Sequence, residues 1–363
     1  MKKSIALLLA VLIITVSIPF AGAAGQVSGN FRYINNGDGT CTIESFLDPK
    51  AESVVIPEKI GKLTVTKIGT RAFTLKSQLE MVSFPETVES IGSYAFYDCR
   101  RLSTVRLSTS IKSIGAYAFN TCPSLTGINL RNVEAVGEYA FTNCTSLTDL
   151  YCGESLVVIG KRAFASCPEL SNIRWSDTIK AIGEAAFANC GALVSLTFPN
   201  SLTSIGKSAF RNCTALRDIT FGEGALKILD YAFENCTALT RVVIPQTVVS
   251  VGGNAFAFRS DEDTKSTHPV EIYCYSNSAG FKYAVENNAP AYIIDLNKEV
   301  AIFGDVDENG VLNTKDARKA LNFAAGHIAN PTEDQLFAGD LNQNGHFDIE
   351  DARIILYKIT KIN

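Results

Sequence analysis

Apolar residues recur through the middle of this chain with a period far longer than any helix or strand repeat. Ala-Phe pairs end at Phe73, Phe96, Phe119, Phe141, Phe164, Phe187, Phe210, Phe233 and Phe256, spaced by 23 residues seven times and by 22 once. Each unit runs roughly Ile-Gly-x-x-Ala-Phe-x-x-Cys-x-x-Leu-x-x-Val-x-Leu, as in Ile91 to Leu107 and Ile182 to Phe198. Alternation in segments such as Val105-Arg106-Leu107 marks short strands with one buried face. The glycine after the isoleucine turns the backbone, and the Ala-Phe step sets a ring against the neighbouring coil. One unit cannot bury its apolar face alone, so the pattern predicts a solenoid whose stacked coils share a core. Nine coils at ~4.8 Å per step make a rod about 40 Å long.

The pattern breaks at both ends. Lys2-Lys3 precede an uninterrupted apolar run from Ile5 to Ile18, and Ala21-Gly22-Ala23-Ala24 offers small residues for cleavage. That is the layout of a secretory signal peptide, residues 1–24, and it places the mature chain outside the cell. The first cysteine is Cys41, so no lipid-bearing cysteine stands at the cut. No other stretch has the length needed to span a bilayer.

After a short linker at 295–302 the grammar changes. Asp305-Val306-Asp307-Glu308-Asn309-Gly310-Val311-Leu312-Asn313-Thr314-Lys315-Asp316 and Asp340-Leu341-Asn342-Gln343-Asn344-Gly345-His346-Phe347-Asp348-Ile349-Glu350-Asp351 start 35 residues apart. Both place oxygen side chains at loop positions 1, 3, 5, 9 and 12, with glycine at 6 for the sharp turn, which is the spacing of a calcium loop. Ca²⁺ takes about 6–8 oxygens, and this spacing curls them around one centre. The expected ligands of two Ca²⁺ ions are Asp305, Asp307, Asn309, Val311 (through its carbonyl), Asn313 and Asp316, then Asp340, Asn342, Asn344, His346 (through its carbonyl), Asp348 and Asp351. Aspartate at position 12 is shorter than the usual glutamate but still offers two oxygens. A helix can follow each loop, at Thr314 to Ala325 and Ile349 to Thr360. None enters the first, because Val300 to Gly304 is short, partly β-branched and ends on glycine.

Two loop-plus-exit-helix halves joined by a short helical segment around Thr332 to Phe337 resemble a type I dockerin module, over Phe303 to about Lys361. The resemblance implies docking onto a cohesin module of a scaffolding protein, as in extracellular fibre-degrading assemblies. It puts recognition on Thr314, Lys315, Leu321 and Asn322 in the first half, and on Ile349, Glu350, Leu356 and Tyr357 in the second. The halves differ, Lys315 against Glu350 and Thr314 against Ile349, which argues against two interchangeable docking modes. The coils, from Phe31 to Ile294, resemble the bacterial BspA-like class of leucine-rich repeats, with an opening hairpin and cap over Phe31 to Thr66. A closing strand at Glu271 to Cys274 and a helix at Ser278 to Asn288 complete that resemblance. The segment Ser260 to His268 interrupts the last coil as a surface loop. The expected fold is a mainly β leucine-rich-repeat solenoid (residues 25–294, about nine coils) followed by a small all-α dockerin-like module (303–363) with two calcium loops.

Composition narrows the function further. The formal net charge is −4 and becomes more negative once Lys2 and Lys3 leave, giving no reason to invoke nucleic acid. Ten cysteines in an exported chain suggest disulfides, but Cys99, Cys122, Cys144, Cys167, Cys190, Cys213 and Cys236 share one position in seven consecutive coils. Stacked Cβ vectors would be parallel and farther apart than the ~3.8 Å a bridge prefers, so buried thiols are expected. No cysteine pair has zinc spacing with a histidine nearby. The histidines, His268, His327 and His346, offer no home for a Ser-His-Asp or Cys-His device. Acidic residues are numerous enough for a glycosidase pair, though none departs from repeat register. Trp175 occupies the slot of Leu107, Phe198 and Phe221, which points to core packing. The outward strand position collects Ser83, Arg106, Asn129, Tyr151, Arg174, Thr197, Thr220 and Val243. Arg106, Asn129, Tyr151 and Arg174 are its candidate contact surface for an unknown protein or glycan. The expected function is that of a non-catalytic extracellular subunit; the alternative is an enzyme or enzyme inhibitor on the same anchor.

Overall fold

The computed structural model describes residues 25–224, 226–256, 270–287, 289–295, 298–302, 304–307, 312–327, 331, 335, 339, 341 and 347–362, with backbone alone at 295, 298–302, 350 and 357–362. The expected signal peptide, the 260–268 loop and the 332–337 joining segment lie mostly or wholly outside them.

Each coil contributes two short strands, and every strand pairs in parallel with its counterpart one coil away. One side carries two-residue strands ending on the repeat isoleucine or valine, from Ser90–Ile91 to Ser250–Val251. The other carries the strands predicted by alternation, such as Thr104–Arg106 and Gly127–Asn129. Antiparallel strands Gln26–Ser28, Phe31–Asn35 and Thr40–Phe46 cover the first edge, where open backbone groups would otherwise invite another chain.

The phenylalanines form one continuous column inside. From Phe73 to Phe256 successive ring centroids are 4.8–5.4 Å apart and tilted by 12° at most. Phe46 adds a further ring 5.1 Å from Phe73. The column ends where Tyr283 of helix α1 (Ala279–Glu286) meets Phe256 edge-on at 5.3 Å, its hydroxyl accepting the Phe256 N–H at 2.9 Å. Ser278 caps that helix by accepting from Phe281 N. Trp175 packs edge-on to Phe187 and tilted against Phe198, as its slot predicts.

Polar backbone in the turn beside the column is satisfied by neighbouring coils. Tyr94, Phe96 and Asp98 donate their N–H groups to Ala116, Ala118 and Asn120 of the next coil at 2.7–2.9 Å. Tyr94 and Asp98 reach this pattern with φ of 58° and 55°, an uncommon region for side-chain-bearing residues, which the inter-coil bonds offset. The repeat glycine is required by contact. A Cβ on Gly160 would sit 2.7 Å from the Gly137 carbonyl carbon and 2.8 Å from Glu138 N, both backbone atoms that cannot yield.

All ten cysteines are buried. From Cys99 to Cys236 each thiol of the column donates to the carbonyl of the preceding coil's phenylalanine, at 3.1–3.4 Å. Burial pushes Cys99, Cys152 and Cys167 up to about 12. The same cause raises Cys122, Cys144, Cys190 and Cys213 well above the usual thiol range. Because the folded-state values are raised, the unfolded chain releases these protons first. Stability from this source is complete below pH ~9 and falls as pH climbs toward 12. The melting temperature should therefore drop steeply above pH 9. Native protein should resist iodoacetamide that labels every thiol in denaturant; ready labelling of the folded chain would contradict the buried column.

The stretch read as a linker is structured at its C-terminal half. Lys298–Ile302 is a strand antiparallel to Ala291–Asp295, extending the solenoid's last sheet to within three residues of Asp305. Its β-branched Val300 and Ile302 suit that role.

Candidate metal centre

Gly304 leaves that strand at φ +103°, in a region that favours glycine, and a Cβ there would press on Leu312 at 2.9 Å. Val306 is fully buried in the core cluster, between Asp305 and Asp307. Asn313 then caps helix α2 (Thr314–Ala324): its side chain accepts from Lys315 N, and Asp316 reaches back to accept from Asn313 N at 2.8 Å. The second Asp316 oxygen accepts from Asp307 N at 3.1 Å. One buried carboxylate thus ties loop positions 3, 9 and 12 together.

The result is a knot of negative charge. Asp305, Asp307 and Asp316 bring carboxylate oxygens within 4.8 Å of one another. Asp305 is 5% exposed and Asp316 fully buried. Asp307 Oδ1 is buried and accepts no hydrogen bond among the described residues. Burial raises the Asp316 pKa; the N–H groups of Asn313 and Asp307 oppose this, and the Asp307 and Asp305 carboxylates add to it. Gathering three hard oxygen donors, one of them orphaned, is unfavourable without a cation between them. The donor set fits Ca²⁺, which takes carboxylate and carbonyl oxygens in irregular arrays.

The second loop repeats the device. Asp351 is fully buried, its Oδ1 accepting from Leu341 N at 2.7 Å and its Oδ2 from Asp348 N at 2.8 Å. Asp348 and Asp351 open helix α3 (Ile349–Ile362) as Asn313 and Asp316 open α2. The remaining expected ligands, Asn309, Val311, Asp340, Asn342, Asn344 and His346, lie outside the described residues.

The two helices pack through Ala317, Ala320 and Phe323 against Ala352 and Ile355, with Phe323 stacked on Phe347 at 4.9 Å. That sorts the expected docking residues. Thr314 and Lys315 are exposed and Asn322 is half-buried. Leu321, Ile349 and Leu356 are apolar yet 44%, 64% and 45% exposed. The side chains of Glu350 and Tyr357 are not described.

On the solenoid, Asn129, Tyr151 and Arg174 stand in register on consecutive strands. Arg174 lies over the Tyr151 ring at 5.8 Å, and Asn172 donates to Asp149 beside them. Arg106 belongs to a separate short sheet, so the four-residue row divides between Arg106 and Asn129. A different row emerges on the turn side. Tyr94, Tyr117 and Tyr139 stack in parallel with centroids 4.6 Å apart. The sequence signal for it is Gly-x-Tyr-Ala-Phe in three consecutive coils, two positions ahead of each column phenylalanine.

Among the described residues no helix is long and apolar enough to cross a membrane. The family model "BspA type Leucine rich repeat region" matches residues 42–168 and 157–279, with six copies. No curated protein matches. Among solved structures, a leucine-rich repeat protein of T. pallidum is 24% identical, covering 64% of this chain and 86% of its own at a TM-score of 0.37. A leucine-rich cell-surface protein of Faecalibacterium prausnitzii is 24% identical, with coverage of 69% and 89% and a TM-score of 0.36. One from Bacteroides capillosus is 29% identical, with coverage of 36% and 98% and a TM-score of 0.33.

Proposed function

This chain belongs to the BspA-type leucine-rich repeat family, and on that premise we propose that it is a non-catalytic extracellular subunit in which a calcium-dependent module anchors the repeats. The observation that carries the reading is the triad of Asp305, Asp307 and Asp316, with its orphaned buried oxygen. Asp305, Asp307, Asn309, the Val311 carbonyl, Asn313 and Asp316 would hold one ion, and the equivalent set from Asp340 to Asp351 a second. Bound calcium supplies the charge that lets these carboxylates share one centre. Asp316 and Asp351 then hold the starts of α2 and α3 in place. Leu321, Ile349 and Leu356 on those helices provide apolar contact for a cohesin of a scaffolding protein, with Thr314, Lys315 and Asn322 beside them; Glu350 and Tyr357 complete the recognition set that the dockerin resemblance implies. The repeats present their outward faces, including Asn129, Tyr151 and Arg174, to a further protein, cell or glycan ligand.

The test is binding of the full chain to immobilised type I cohesins in Ca²⁺ and in EDTA. Capture in Ca²⁺ with release by EDTA is expected, and Leu356→Asp should weaken it by tenfold or more, as loss of an interface anchor does. Binding that persists in EDTA would contradict calcium-dependent docking.

A further inference from the structure

The tyrosine row on the turn side has features that packing alone does not require. Tyr94, Tyr117 and Tyr139 are half-buried, and their planes differ by only 2° and 5°. Arg71 lies over the outer face of Tyr94 at 5.2 Å, and Arg162 over the outer face of Tyr139 at 5.8 Å. Tyr97 flanks Tyr94 at 5.6 Å. Among the described residues neither arginine has an ion-pair partner, and no side chain hydrogen-bonds the three hydroxyls. The row therefore ends in two guanidinium groups, one over each terminal ring.

Ring faces are consumed by the stack, so a sugar cannot lie flat on these tyrosines as it would on an isolated aromatic. What remains outward is the positive edge of each ring and a hydroxyl donor. Tyr117 is held above the usual phenol range, by burial first and then by Tyr139, Tyr94 and Glu138, with Arg162 opposing. The surface is therefore a donor-rich strip about 19 Å long over four coil steps, with a positive fork at each end. Its complement is an extended, acceptor-rich anion. Spacing decides which kind. The hydroxyl-bearing rings repeat at 4.6 Å, whereas side chains on one face of an extended peptide repeat at ~6.6–6.8 Å. A pyranose chain advances by close to one coil step per sugar.

We propose that Arg71, Tyr94, Tyr117, Tyr139 and Arg162 bind a segment of uronic-acid glycan laid along the solenoid axis. The carboxylates meet the two guanidinium forks, and sugar hydroxyls and ring oxygens accept from the phenols. Glu138, beside Tyr139, opposes the anion. This site is separate from the calcium module and does not depend on it.

The experiment is calorimetric titration of the full chain with pentagalacturonate, whose first and last carboxylates are four sugar steps apart, in EDTA, which removes calcium from both glycan and protein. Neutral pentagalactose and a short poly-glutamate peptide serve as comparison probes. Saturable binding of pentagalacturonate alone is expected. Arg71→Gln with Arg162→Gln should weaken it about tenfold. Replacing Tyr94, Tyr117 and Tyr139 together by Phe keeps the stack and should cost about fivefold. Glu138→Gln should tighten binding. No binding at millimolar probe, or affinity unchanged in the arginine and phenylalanine variants, would overturn the proposal. Tighter binding of poly-glutamate would overturn it in favour of an acidic-peptide surface.

Discussion

Phe164→Ala is expected to remove about 3–5 kcal/mol of stability, the usual cost of emptying a buried phenylalanine site. Phe164 is fully buried, 5.0 Å from the Phe141 ring and 5.4 Å from that of Phe187. Those neighbours cannot move in to fill the gap. Each is fixed by a backbone bond to the next coil, Phe141 N to Ala163 O and Phe187 N to Ala209 O, both at 2.7 Å. The cavity thus stays open, which places the loss toward the upper end. In a solenoid each coil contacts only its neighbours, so damage at coil five uncouples the two ends. Urea unfolding should shift to a lower midpoint and broaden or split into two steps. Tyr151→Ala, on the outer face, should change stability by no more than about 0.5 kcal/mol. A Phe164→Ala loss below about 1 kcal/mol would mean the column is not the source of cohesion.

Removing calcium should disorder the C-terminal module while leaving the solenoid folded. The two halves rest on different physics. The coils are held by an apolar column and inter-coil hydrogen bonds that involve no metal. The module has a small core, Phe323, Phe347, Ile355 and a few alanines, and its loops gather carboxylates that repel when nothing positive separates them. Amide exchange in EDTA should accelerate across α2 and α3 and stay slow at the two-residue strands between Ser90 and Ile228. Asp305→Ala with Asp340→Ala should reproduce the EDTA pattern in the presence of calcium. Equal protection of the module with and without the metal would show that its core suffices.

The repeat was legible because its spacing, glycine, Ala-Phe step and cysteine are each dictated by stacking. A Cβ at Gly160 would strike the coil below, and a phenylalanine missing from the column would leave a void. The thiol column was legible for the same reason, since seven equivalent positions cannot all find bridging geometry. The tyrosine row was harder to see. Its residues sit at positive-φ turn positions, where arginine, alanine, serine and asparagine serve equally well in other coils, so the backbone does not demand an aromatic there. The strand at Lys298–Ile302 was hidden differently. Its pairing partner is the solenoid's own last strand, a tertiary contact that five residues of local pattern do not announce. In the calcium loops, spacing pointed to Asp305, Asp307 and Asp316 as one centre, and the fold brings those three together. The bond from Asp307 N to Asp316 could not be read from spacing, because it depends on how tightly the loop closes.

The C-terminal module, as proposed, is built around calcium, and calorimetric titration of Ca²⁺ into the metal-stripped full chain, beside the Asp305→Ala, Asp340→Ala double variant, tests this directly. Two ions per chain are expected for the native sequence and none for the variant. A native chain that binds no calcium, or a variant that binds as the native chain does, would contradict it.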